Sequence, residues 1–152
     1  MIIRRYQKHE IPAMIDLLKE GLDRFHYGNI QYSRQKVEDL LVGNIRNPQF
    51  FCHVIVEDDG VVAGALAAEI VEYSFSYEAF AQPRITYIRE GHSSLKGITG
   101  LVAAYKQWAI KMGAREIMMS QSTGFKMDKF AKFMQRQGFS QLGTMWMMEN
   151  SK

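Results

Sequence analysis

The sequence predicts an α/β domain whose elements follow in the order β-α-α-β-β-β-α-β-α-β. Three observations carry this. Between Ile85 and Gly113 a short β-branched strand runs through a glycine-punctuated turn into a long amphipathic helix. Asp58-Asp59-Gly60 separates two strand-like runs and supplies the positive φ angles of a tight hairpin. Along the rest of the chain, segments with helical apolar spacing alternate with segments of β character. Neither an internal repeat nor a linker interrupts this order. With 152 residues, 47% of them hydrophobic, the chain fits one domain over residues 1–152, large enough to bury a core and a small-molecule cleft.

Ile2 to Tyr6 reads as the first strand. Ile11, Met14, Ile15, Leu18 and Leu22 then keep helical spacing, with Pro12 tolerated in the first turn and Gly21 expected to fray the end. Phe25 to Tyr32 is an aromatic-rich loop, after which Ser33 caps a second helix with Val37, Leu40, Leu41 and Ile45 on one face, stopped by Asn47-Pro48. Phe50 to Val56 and Val61 to Tyr73 are the hairpin strands. Ser74 to Gln82 reads as a loop with three aromatic side chains, and Pro83 leads into a strand over Ile85 to Arg89. The next helix carries Ile98, Leu101, Val102, Tyr105, Ala109 and Met112 on one stripe and closes at Gly113. A short strand, Glu116 to Ser120, precedes a turn and a helix with Met127, Phe130, Phe133 and Met134 that ends at Gln137-Gly138. Gln141 to Met148 alternates as a final strand.

Composition excludes several classes. Nineteen basic against 16 acidic side chains leave a formal charge of +3, which does not demand a nucleic-acid-binding face. No 18-residue apolar run and no signal-peptide pattern occurs, so a cytoplasmic protein with no membrane partner is expected. The single cysteine, Cys52, sits in an apolar run, can make no internal disulfide, and reads as a buried small hydrophobe. Ten methionines fit an accommodating core. His9, His26, His53 and His92 lack the spacing of a zinc site, and no metal is expected.

The strand-to-helix junction is suited to phosphate. The first N–H groups of a helix lack intrahelical partners and point at one spot, where the helix dipole adds partial positive charge. Gly97 and Gly100 permit close approach to the main chain, and Lys96 places a mobile cation at the rim. The plainer reading is a tight turn with a solvated lysine. Taken alone the segment favours neither.

Tyr87-Ile88-Arg89-Glu90-Gly91-His92, then Ser93-Ser94-Leu95-Lys96-Gly97-Ile98-Thr99-Gly100, then Gln107-Trp108-Ala109 resemble the strand, pyrophosphate loop and helix of the GNAT superfamily of acyl-CoA-dependent N-acetyltransferases. Gly113-Ala114-Arg115-Glu116-Ile117 is similar to that family's helix exit into its fifth strand, and Phe133-Met134-Gln135-Arg136-Gln137-Gly138-Phe139 to its Phe-Tyr-x-x-x-Gly-Phe signature. The turn Ser122 to Gly124 looks most like small acetyltransferases encoded by phages. The resemblance spans nearly the whole chain. It implies a mixed, mostly antiparallel central sheet with helices on both faces, acetyl-CoA as cosubstrate and a small-molecule or peptide amine as acceptor.

Under that resemblance Ile88, Arg89, Ser94, Leu95, Lys96, Gly97, Ile98, Thr99, Gly100 and Phe133 would meet the cofactor, and a main-chain N–H at or beside Ile88 would polarise the thioester carbonyl. Two departures matter. The family's loop arginine falls at Ser93 or Ser94, and the tyrosine that often protonates the departing thiolate falls at Met134, which has no proton to give. Ser122 and Tyr87 are the hydroxyls available to replace it, with Ser122 preferred. Glu69, Glu72, Glu90 and His92 are candidate bases, each also readable as a solvated residue, and Glu72 on the long third strand is carried forward. Lys126, Lys129, Lys132 and Arg136 either meet the 3′-phosphate of CoA or form a solvent face. Tyr27 to Tyr32 and Phe75 to Phe80 either wall an apolar acceptor site, pack loops, or form a homodimer seam. A member of the fold that binds CoA or a protein without turnover is the second reading. A third, from the GxxG form of Gly97-Ile98-Thr99-Gly100, is an RNA-binding loop of KH type, disfavoured because this loop follows a strand.

Overall fold

The computed structural model describes residues 1–92, 95–121 and 126–150. The chain divides into two compact units, Met1–Met118 and Met119–Lys152. The first holds β1 (Ile2–Arg5), α1 (Ile11–Asp23), α2 (Arg34–Gly43), β2 (Phe50–Val56), β3 (Val62–Glu72), β4 (Ala79–Ile88), α3 (Leu95–Lys111) and β5 (Glu116–Ile117); the second holds α4 (Met127–Arg136). The α/β class with a mixed sheet is as the sequence predicts. Strands run in the order β1-β2-β3-β4-β5, the first four antiparallel and β5 parallel to β4. A parallel pair needs a crossover between its strands, which α3 supplies.

Side chains alternate across the sheet and so recruit helices to both faces. Phe50, Cys52, Val54 and Val56 of β2 share one core cluster with Met14, Ile15 and Leu17 of α1 and Leu41 of α2. Their neighbours point the other way: the Phe51 ring lies 5.7 Å from Tyr105 and 5.4 Å from Trp108 on α3 and stacks on His53 at 4.4 Å. Burial, with Arg5 nearby, lowers the His53 pKa, which keeps this ring neutral. Cys52 is 1% exposed, as expected of a core hydrophobe, and burial pushes its thiol up to about 12.

Several elements differ from the sequence prediction. Gly21 does not fray α1; it is buried, and a Cβ there would lie 2.7 Å from the Tyr87 ring, so only glycine lets β4 approach so closely. The Asn47-Pro48 stop comes late, since α2 ends at Gly43 and the Asn44 side chain donates to the Leu40 carbonyl at 2.8 Å. β4 begins at Ala79, inside the expected loop. A register shift opposite Ala67 and Ala68 leaves Arg84 unpaired between Pro83 and Ile85, and a bulge of this kind is where a strand tolerates proline. No strand forms over Gln141 to Met148, where every residue is exposed: alternation describes a face to be buried, and this run buries none. The strand expected over Glu116 to Ser120 forms only over Glu116–Ile117, and three local signals are realised. Ser33 accepts from the Lys36 N–H at 3.2 Å, the Glu57–Val61 hairpin closes at 2.9 Å, and Gly113 and Gly138 end α3 and α4. Among the described residues no helix is long and apolar enough to cross a membrane.

Two arginines on β1 organise this end of the sheet. Arg5 donates to the carbonyls of Asn44 at 2.7 Å, Phe50 at 2.8 Å, and Ile45 and Asn47 at 3.0 Å, fastening the α2–β2 connection to the edge strand. Arg4 grips the buried Glu10 at 2.7 and 3.1 Å, and Glu10 also accepts from the Gln7 N–H at 2.7 Å. Burial pushes the Glu10 carboxyl up, but Arg4, the Gln7 amide and His9 together hold it below the ordinary carboxylate value.

Replacing Arg5 by Lys, which keeps the charge but not the planar fork, is expected to cost about 2–3 kcal/mol in urea unfolding. The contribution of Glu10 should be fully present above its unfolded pKa and disappear as pH falls through the lowered folded value. The stability gap between wild type and Glu10→Gln, followed by denaturation from pH 7 downward, should therefore close in acid.

Candidate active site

The central feature of the first unit is a fork between β4 and β5. The two pair only at Phe80 with Glu116 and Ala81 with Ile117, flanked by Arg115 N–H to the Ala79 carbonyl at 2.7 Å and Met118 N–H to the Ala81 carbonyl at 2.9 Å. In a parallel ladder the Met118 carbonyl would next accept from residue 83. That residue is Pro83, which has no N–H. The Met118 carbonyl accepts instead from the Tyr105 hydroxyl of α3 at 2.8 Å, and burial raises the pKa of that phenol, keeping it protonated. β5 is thereby tied to the helix, while β4 continues to Ile88 paired with β3 alone.

Backbone alternation decides which groups face the opening. Arg89 donates its N–H to the Ala63 carbonyl of β3 at 2.8 Å. Successive amides of a strand point to opposite edges, so Tyr87 and Ile85 also face β3, whereas Ile88 and Thr86 turn their N–H groups to the forked side. Ile88 is partly buried. A turn comes next, with His92 N–H donating to the Arg89 carbonyl at 3.1 Å and Gly91 at φ 83, the left-handed third position of a type II turn. α3 then starts at Leu95 with Leu95 and Lys96 exposed, so the helix entrance stands near the open end of β4 in sequence and the expected strand-turn-helix order is present.

The other expected site residues are distributed unevenly. Ile98 and Thr99 lie half-buried in the first turns of α3 and Gly97 is buried. Gly100 faces β1: a Cβ there would fall 2.2 Å from Ile3 Cδ1, so its small size serves helix packing. Arg89 is engaged by Glu20 of α1, its Nε lying 3.0 Å from one carboxylate oxygen and 3.2 Å from the other. Glu72 pairs opposite Ala79, whereas Ile88 pairs opposite Gly64. About eight strand residues at ~3.3 Å each put some 26 Å between them, so Glu72 and Ile88 do not share a site. Glu69 is bound to Arg84 at 2.9 Å and Glu90 to Arg24 at 2.8 Å. Phe133 lies half-buried on α4 in the second unit. Ser94 and Ser122 lie outside the described residues.

The sequence reading missed Glu20, whose carboxylate also receives the Tyr87 hydroxyl at 3.3 Å. No local pattern marks it, because its partners stand on a strand more than sixty residues away. It also missed an apolar cavity of about 50 Å³ between α1, α2 and the sheet, with Met14, Leu17, Cys52, Ala67, Ile85 and Tyr87 among its walls and Arg84 at its border. Of the aromatic loops, Tyr32 packs down by donating to the Ile15 carbonyl at 2.8 Å, while Phe75 and Tyr77 are exposed. Among the described residues no group of His, Cys, Asp or Glu is arranged to hold a metal ion.

No protein-family model matches the sequence, and no curated protein does. Solved structures match the fold across its length. A probable acetyltransferase aligns over 100% of this chain and 99% of its own at TM-score 0.75 and 16% identity. An acetyltransferase of Trypanosoma brucei aligns over 98% and 99% at 0.73 and 11%. The aminoglycoside N-acetyltransferase AAC(6')-Iy, solved with the bisubstrate analogue CoA-S-monomethyl-acetylneamine, aligns over 99% and 98% at 0.73 and 15%. The fold is therefore that of the acetyltransferases the sequence resembles.

The fork makes a direct prediction for hydrogen exchange. The amides of Thr86 and Ile88 should exchange much faster than those of Ile85, Tyr87 and Arg89 on the same strand, as resolved by NMR. Equal protection along the strand would mean that the edge is closed.

Proposed function

We propose that the protein is an acyl-CoA-dependent N-acyltransferase that moves an acetyl group from acetyl-CoA to a primary amine of a small molecule or peptide. The observation that carries this reading is the fork. A strand edge with unpaired amides, directly followed by a turn and a helix entrance, offers donors for a pantetheine arm and a diphosphate in sequence order. The fold shared with CoA-bound acetyltransferases supports it.

In this reading the Ile88 N–H, aimed into the fork, donates to the thioester oxygen as negative charge develops there. The neutral amine attacks the carbonyl carbon with its lone pair, the C–N bond forms, and the C–S bond breaks with its electron pair leaving on sulfur. One proton leaves the amine nitrogen and one is taken up by the thiolate. A lysine-like amine has a pKa near ~10.4, so a route for the first proton is required at neutral pH. With Glu72 far from Ile88, the Tyr87–Glu20 pair at the same end of β4 is the better-placed acceptor of that proton. Met134 stands where a proton donor is usual, and Ser122, in the Ser122-Thr123-Gly124 sequence that resembles phage-encoded acetyltransferases, is proposed as its replacement. A CoA-binding protein without turnover is the second reading, favoured by Met134 and by the serine at the loop position where the family has arginine.

Two measurements test this. CoA and acetyl-CoA should protect the protein against heat with a shift that grows with ligand concentration, and no shift at millimolar CoA would refute the proposal. Ile88→Pro removes an N–H that makes no bond to β3, which an open edge tolerates. It should lower thiol release by a factor of about 10²–10³ while CoA protection persists. Buried Cys52, its thiol pushed up to about 12, should not contaminate a thiol assay. Protection without thiol release over a broad amine panel would select the non-catalytic reading.

A further inference from the structure

We infer that the acceptor is an amine carrying a short uncharged aliphatic tail, and that the cavity beneath α1 and α2 takes this tail. The inference rests on the function proposed above and goes further by assigning the class of acceptor. Ile85 and Tyr87 line the cavity, and both stand on the stretch of β4 left open by the fork, facing α1 and α2. A substrate whose nitrogen reaches the Ile88 edge therefore has an apolar recess on the same strand, lined by the adjacent Tyr87 and by Ile85 three residues back.

Charge and size decide the occupant. A polycationic acceptor such as an aminoglycoside needs carboxylates free to meet its ammonium groups. Here each nearby carboxylate already holds an arginine: Glu20 holds Arg89 at 3.0 Å, Glu69 holds Arg84 at 2.9 Å and Glu90 holds Arg24 at 2.8 Å. Arg84 at the border of the cavity is itself held by Glu69, so among the described residues the recess offers a second ammonium group no unpaired carboxylate. The recess is otherwise walled by aliphatic, sulfur and aromatic side chains, and at about 50 Å³ it is roughly a third of the ~150 Å³ that accepts benzene. That leaves room for about two or three carbon atoms of an unbranched chain. Ala67 and Cys52, paired opposite each other on β3 and β2, keep it open by being small.

The test uses the full chain and four probes: methylamine, n-propylamine, n-butylamine and kanamycin, each with acetyl-CoA. Turnover per unit concentration should rise by about fourfold per methylene that enters the recess, from methylamine to n-butylamine. Kanamycin should be poorer than n-butylamine, and n-butylamine should add thermal protection to the CoA-loaded protein. Ala67→Leu, which fills the recess, should flatten the length series while CoA still protects. Should that variant not fold, the wild-type series and the protection by n-butylamine decide the matter. A flat series without such protection, or faster acetylation of kanamycin, overturns the inference and leaves CoA binding intact. A length dependence that tracks propionyl- and butyryl-CoA instead of the amine also overturns it, giving the recess to the acyl group. Loss of CoA protection in the wild type would remove the enzyme reading itself, and the acceptor with it.

Discussion

A parallel ladder between β4 and β5 is extended by one amide per step, and at the step after Met118 the amide is missing because the residue is Pro83. A carbonyl left without a donor inside a protein costs about 1–3 kcal/mol, so the chain finds another partner for it. Tyr105 provides that partner from α3, and in doing so draws β5 toward the helix and away from the sheet. The fork is thus the joint result of an imino acid on one strand and a phenol on the helix between the two strands. Its consequence is that amides of β4 at Thr86 and Ile88, which would have been consumed in the sheet, turn to an edge without a partner strand among the described residues.

The rest of the first unit backs β4 on one edge and one face while its other edge stays open. β3 pairs with it from Glu72 to Gly64, the Arg84 bulge absorbs the proline, and the Tyr87 ring is pressed against Gly21 of α1. At the end of the strand, Arg89, Tyr87 and Glu20 form one hydrogen-bonded cluster, so the last residues of β4 are held by the helix on one face as well as by β3. In the proposed reaction such support would matter for the Ile88 N–H, because a donor to a developing oxyanion is of most value when in place before charge appears. At the far end of the sheet, Arg5 holds three carbonyls of the α2–β2 connection and that of Phe50 at the start of β2, and makes β1 a fixed edge.

Electrostatics distinguish this molecule from an acidic polyamine site. Glu20, Glu69 and Glu90 around α1 and β4 are each paired with an arginine, and the recess between α1, α2 and the sheet is apolar. The same sheet that exposes amides on its edge therefore presents hydrocarbon on its α1 and α2 face. A ligand meeting both would need one polar, reacting end and one apolar end.

The sequence alone determined what depends on near neighbours: the hairpin at Asp58-Asp59-Gly60, the Ser33 cap, the glycine exits of α3 and α4, the burial of Cys52, and the strand-turn-helix order around Ile88. These are legible because turn chemistry, capping and apolar period act over a few residues. Tertiary structure decided the rest. Pro83 read as the start of a strand and is in fact the residue that ends a ladder, which only the position of Met118 reveals. Gly100 read as a phosphate-side glycine and is set against Ile3, and Gly21 read as a fraying point and receives Tyr87. Glu72 seemed a fair base until register put it far from Ile88, and Glu20 carried no local signal at all. The physical reason is common to all of them: a side chain's role is set by what reaches it through space, and strand register and helix packing fix that over separations that local periodicity does not encode.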